Sequence, residues 1–277
     1  MSNARKPFNR STARKPAKGA LMGAAERGEA HTLRDLLARG ATVDERDEVG
    51  MTPLMAAASK GEDECLKLLI AAGADVNAKD IGGDTVLTIA VDGDEEACAR
   101  ILIQNGAEID APRANGMTPL VSALRGRLAE VALMLINEGT DVNQKTPDGE
   151  PALVFSITGG PILNLVSYGL VNKGADLEAT GPANATPLIC AAYCNNSEVL
   201  RYLIKKGAKL DPMMNGETAL DIARHKGYPD VADILLQAQN DRESRRNEAI
   251  QKAADGFREG LAEPMQTNKP FVLKPKR

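Results

Sequence analysis

Glycine recurs at positions 40, 73, 106 and 139 in steps of 33 residues, then at 174 and 207 after steps of 35 and 33. A second series, Thr52, Thr85, Thr118, Pro151, Thr186 and Thr218, runs in phase with it. Two series of chain-punctuating residues locked to one period require a single supersecondary unit stacked many times, and a period near 33 is that of a helical solenoid. In such a stack each unit touches only its neighbours. Function is therefore to be sought on a surface rather than in an enclosed cavity.

Residues 47–79 show what one unit contains. Thr52 is a good N-cap acceptor, and Pro53 suits the first helical position, where its missing N–H is not needed. The helix that starts there carries Leu54, Ala57 and Ala58 on one side, slim enough for close packing, and is broken at Gly61. Leu66, Leu69 and Ile70 mark a second helix, and Gly73 stands where a helix ends at positive φ. Asp80, followed three residues later by Gly83, has the chemistry of a type I turn, which predicts a projecting turn between units. The unit reads helix, turn, helix, glycine stop, and the fold class is all-α.

These residues carry a specific resemblance. Thr-Pro-Leu at 52–54, 118–120 and 186–188, Gly-Ala-Asp-Val-Asn at 73–77 and Gly-Ala-Asp-Leu at 174–177 resemble the ankyrin repeat. The resemblance implies a solenoid of about seven helix-turn-helix units over residues 19–238, opening near Gly19, Thr52, Thr85, Thr118, Pro151, Thr186 and Thr218, with β-turn or hairpin loops between them. Three departures predict local irregularity. Pro151 replaces the capping threonine, the segment from Gly159 to Gly174 is two residues longer than its counterparts, and the turn Asp211 to Gly216 is one residue short. The histidine usual after Thr-Pro-Leu is replaced by Met55, Val121 and Ile189. In a eukaryotic setting the resemblance also implies asparaginyl hydroxylation at Asn77 and Asn143, each with a leucine eight residues earlier, Leu69 and Leu135.

Aromatic residues make up 3% of the chain and tryptophan is absent, so Leu, Ile, Val and Ala must fill the interior. No apolar run approaches the roughly 18 residues of a membrane span, and the start lacks a signal-peptide pattern. A cytoplasmic monomer is expected. Residues 1–18 and 264–277 hold ten of the 34 Lys and Arg and none of the 38 Asp and Glu. The body between them, with 24 bases against 38 acids, is thus about 14 units negative, which disfavours nucleic acid as a partner. Both tails are expected to be basic and flexible, the first disordered. From 239 to 263, Ile250, Ala253, Ala254, Phe257 and Leu261 form one apolar edge of a helix ending before Pro264, which needs support from the last repeat or from a partner.

Catalytic chemistry is not legible. There is no phosphate-binding loop, no His-Glu-x-x-His and no Gly-x-Ser-x-Gly, and His31 and His225 lie about 200 residues apart in a linear stack. Cys65, Cys98, Cys190 and Cys194 lack the spacing of a zinc site, so no catalytic residue, metal or cofactor is assigned. A protein partner is expected instead. Partners of the ankyrin family usually lie along the concave face of turn tips and exposed first-helix ends. That implication falls on the tip residues Glu48, Met51, Ile81, Asp84, Met117 and Met214, and on the helix-end residues Ser59, Lys60, Asp92, Arg125, Tyr193 and His225. Apolar choices at tips, Met51, Ile81, Met117 and Met214, are read as unforced by the stack. A non-catalytic interaction scaffold is the leading expectation. The alternatives are a dedicated inhibitor, an immunity protein or a secreted effector aimed at one target, and an enzyme with a site around Gly159 and Gly160.

Overall fold

A computed structural model of the chain describes residues 16–262, with side chains to residue 255. Helices follow one another in seven pairs: α1 (Ala20–Glu26) and α2 (Ala30–Ala38), α3 (Pro53–Ala58) and α4 (Asp63–Ala71), α5 (Val86–Asp92) and α6 (Glu96–Gln104), α7 (Pro119–Gly126) and α8 (Ala129–Glu138). They continue with α9 (Ala152–Thr158) and α10 (Asn164–Asn172), α11 (Pro187–Tyr193) and α12 (Ser197–Lys205), α13 (Ala219–His225) and α14 (Pro229–Ala262). The residues expected to open the units, from Gly19 to Thr218, are the N-caps of the first helix in every pair.

The threonines act as the sequence implies. The hydroxyls of Thr52, Thr85, Thr118, Thr186 and Thr218 each accept the backbone N–H three residues on, at 3.1–3.4 Å, a contribution of about 1 kcal/mol per cap. Pro151 has no hydroxyl, and the next amide, Ala152 N–H, donates instead to the Gln144 carbonyl at 2.8 Å. In α3 every residue is buried, which its alanines permit. First helices pack on first helices along the stack, and a continuous apolar core runs from Leu21 to Leu235. The segment lengthened by two residues after Gly159 contains a short 3-10 turn, Pro161–Leu163, that leads into α10.

The turns between units are fingers of three kinds. Gly50, Gly83, Gly116 and Gly149, at φ 79–84°, each donate their N–H to the carbonyl three residues back, at 2.8–3.2 Å. A type I turn closed by a residue in the left-handed region gives a three-residue loop. The fifth finger closes instead through Ala183 (φ 56°) and Asn184 (φ 60°), with the Ala185 N–H donating to the Pro182 carbonyl at 3.1 Å, and the last finger, one residue shorter, also departs from the first four. Asn215 (φ 54°) and Gly216 (φ 85°) form a two-residue turn with both φ positive, and strands β1 (Met213–Met214) and β2 (Glu217–Thr218) pair antiparallel across it.

One polar residue per unit reaches forward along the stack. Asp44, Asn77, Asp110, Asn143 and Glu178 accept the backbone N–H groups of Asp75, Glu108, Asp141, Asp176 and Lys209 of the following unit at 2.8–3.1 Å. These amides would otherwise be unpaired in irregular backbone, so each bond fixes the register of one unit on the next. Asp211 is the next residue of this series. It accepts instead from the Arg242 side chain at 2.8 Å, because α14 does not stop where the period would place a glycine. Asn240 occupies that place, and residues 240–255 are all exposed.

The helix expected from 239 onward is therefore the uninterrupted continuation of the second helix of the seventh unit. Its edge residue Ile250 is 58% exposed and does not lie back on the stack. The expectations for the two tails fall outside the described residues, apart from residues 16–18.

Candidate partner-binding face

The fingers and the last turns of the first helices form one surface, because the side chains of one meet those of the other. Arg125, at the end of α7, pairs with Asp148 on the next finger at 2.8 Å. His225 Nδ1, at the end of α13, lies 2.6 Å from Glu217 on the finger before it. Tyr193, at the end of α11, is 49% exposed, and the Lys226 ammonium sits 3.7 Å from its ring centre. That arrangement draws a cation from the following unit onto an aromatic face. Neighbouring fingers are also bonded to each other, Ile81 N–H donating to the Val49 carbonyl at 3.0 Å.

The twelve residues assigned from sequence divide into four groups. Glu48, Lys60, Ile81, Arg125, Tyr193 and His225 are exposed on this face. Ser59 is half-buried and its hydroxyl is turned onto its own helix, donating to the Ala56 carbonyl at 2.9 Å. Asp84 and Asp92 are committed to an ion cluster. Arg113, 13% exposed, places Nε 2.8 Å from Asp84 and a second guanidinium nitrogen against Asp92.

The reading of apolar tip residues as unforced is corrected for Met51 and Met214. Met51 and Met214 are half-buried and pack on the core, and Met117 is half-buried as well. Met51, which follows the glycine of its finger, and Met214, which precedes the last turn, therefore support the stack. Ile81 is the exception, 76% exposed, and beside it Val49 is 55% exposed.

Burial holds the Asp84 carboxyl above the usual aspartate value, against the pull of the Arg113 charge. Asp221 is moved the other way, because it accepts hydrogen bonds from the Thr218 hydroxyl at 2.7 Å and the Thr218 amide at 3.0 Å. Asp84 thus binds its proton more tightly when folded, and its penalty at neutral pH is relieved as pH falls through its raised folded value. Asp221 contributes stability above its unfolded value of 3.8 and loses it as pH falls through its lower folded value. Carboxyl carbon shifts followed by NMR should give Asp84 a midpoint above 3.8 and Asp221 one below. The opposite order would contradict this placement of the two groups.

Among the described residues no group of three or more His, Cys, Asp and Glu is placed to hold a metal. Cys65, Cys98 and Cys190 are buried, and burial pushes the Cys190 thiol up to about 12, while Cys194 is exposed. No helix among the described residues is long and apolar enough to cross a membrane.

A sequence model described as ankyrin repeats in three copies matches residues 21–113, 79–146 and 160–246. The chain belongs to the ankyrin-repeat family. Ankyrin-repeat domains are in general protein-protein interaction modules. This ankyrin-repeat chain is similar to the ankyrin repeat domain of human ASB11, at 27% identity and a TM-score of 0.62 over 79% of this chain and 96% of the other. It shares its fold with the ankyrin repeat domain of Bcl-3, described as a unique member of the IkappaB protein family, at 23% identity and a TM-score of 0.68 over 78% and 97% of the two chains. No curated protein sequence matches it.

Arg113 escaped the sequence reading. Its signal was present, since the finger position it occupies carries Asp47 and Asp80 in the two preceding units and a cation there breaks the pattern. The Asp47 carboxylate accepts the N–H groups of Val49 and Met51 within its own finger, a local role an arginine cannot take.

Proposed function

We propose that this ankyrin-repeat chain is a non-catalytic scaffold that grips a protein partner along its fingers and first-helix ends, the concave face of the family's solenoids. The observation that carries this reading is the pair Val49 and Ile81. They stand on adjacent fingers, joined by a backbone hydrogen bond, and both hold a branched apolar side chain in water. Neither supports the stack, so their burial is available to a partner, at about 25 cal/mol for each Å² covered. Tyr193 adds an aromatic side chain held in place by Lys226, a residue type that anchors interfaces.

Changing Val49, Ile81 and Tyr193 together to aspartate should lower capture of the main partner from source-cell extracts at least tenfold, a loss equivalent to about 1.4 kcal/mol. The helical circular dichroism should not change. Full capture by the folded triple variant would rule out this face.

A further inference from the structure

Where α14 runs on past Asn240, it leaves open the space that a turn fills at every earlier junction. The result is a groove of about 660 Å³ between the end of α12, the segment from Gly207 to Leu210 and the middle of α14. It lies on the second-helix side of units six and seven, away from the fingers. Ile204, Ile234 and Ala238 provide an apolar floor, and the walls carry Arg201, Lys205, Lys209, Arg242 and Arg245 against one acid, Asp241.

The charge of these walls is largely uncompensated. Arg242 is paired with Asp211, but among the described residues Arg201, Lys205, Lys209 and Arg245 have no carboxylate within ion-pair distance. Asp230 and Asp233 border the groove at the Arg201 end, and Glu178 accepts the Lys209 backbone N–H at 2.8 Å, which leaves Lys205, Lys209 and Arg245 as the unpaired basic side chains away from Asp230 and Asp233. This is a basic concavity on a body about 14 units negative. Residues 1–18 and 264–277 contain no acid and so do not match it in charge.

We propose that this groove is a second docking site, independent of the finger face, for an acidic segment of a partner protein. An apolar side chain of that segment rests on Ile204, Ile234 and Ala238, and two or three carboxylates face Lys205, Lys209 and Arg245. Charge complementarity selects the occupant. The apolar floor favours a peptide over a nucleic-acid backbone, which the acidic body also repels.

The probe is a synthetic helical peptide of about 14 residues, long enough to span about 20 Å, with a leucine stripe flanked by glutamates. Its Glu→Gln and Glu→Lys versions and a single-stranded oligonucleotide serve as comparisons. Fluorescence anisotropy at physiological salt should show binding of the glutamate peptide by the full chain and at least tenfold weaker binding of the glutamine version. The K205E/K209E/R245E variant should lose the glutamate peptide and gain the lysine peptide.

Amide shifts in the unmodified protein should move at Ile204, Lys209 and Ala238, which keeps the test valid if the triple variant folds poorly. Val49→Asp with Ile81→Asp should leave the binding unchanged, which separates this site from the finger face. Equal affinity for the glutamine peptide, shifts confined to the fingers, or tighter binding of the oligonucleotide would each overturn the proposal.

Discussion

Changing Gly83 to alanine is expected to lower the stability of the third and fourth units by about 3 kcal/mol, whereas Gly116→Ala should lower it by about 1 kcal/mol. Both glycines have φ +79° and occupy the same place in successive fingers. The left-handed conformation therefore strains an alanine equally at the two sites, by roughly 1–2 kcal/mol. The surroundings differ. A Cβ at Gly83 would lie 2.8 Å from the Ala114 backbone nitrogen, and one at Gly116 would meet nothing within 4 Å.

The second finger is pressed against the backbone of the third, which cannot yield as a side-chain tip would. Denaturant titrations of the two variants, with hydrogen exchange to locate the loss, give the difference directly. Equal destabilisation would show that the fingers part without resistance.

Arg113→Ala should cost about 2 kcal/mol, less than the 3–5 kcal/mol of a fully buried pair because Asp84 and Asp92 keep contact with water. The guanidinium joins three parts of the chain, the start of α5 through Asp84, its end through Asp92, and its middle through the Thr88 carbonyl at 3.4 Å. Without it, two carboxylates face each other across the finger. Adding Asp84→Asn to the alanine variant should recover part of the loss, because it removes one of those charges. A combined loss equal to the sum of the two single losses would show that the cluster is not coupled.

The repeat itself was legible because its determinants are local. A threonine that caps, a proline at the first helical position and a glycine at positive φ act within a few residues of themselves, and all seven unit openings fall where those residues stand. The shortened last finger was visible as a missing residue, and Asn215-Gly216 explains how the chain closes without it.

What escaped depends on contacts about 33 residues away. Met51 and Met214 were read as free because their position was known but not the inward lean of their side chains. Arg113 spends its charge on residues of the preceding unit, and the acceptors from Asp44 to Glu178 hold amides of the following one. The run-on of α14 did leave a trace, Asn240 where a glycine was due, but an absent stop signal is quieter than a present one.

That run-on gives the molecule a lever. Between Asn240 and Asp255 the helix advances about 22 Å with every residue exposed, and the Arg242–Asp211 ion pair ties it sideways to the stack near its start. Whatever is attached near its tip is swung by bending of a single rod, so small angular changes at its root around Leu235 become displacements of many ångströms at the far end.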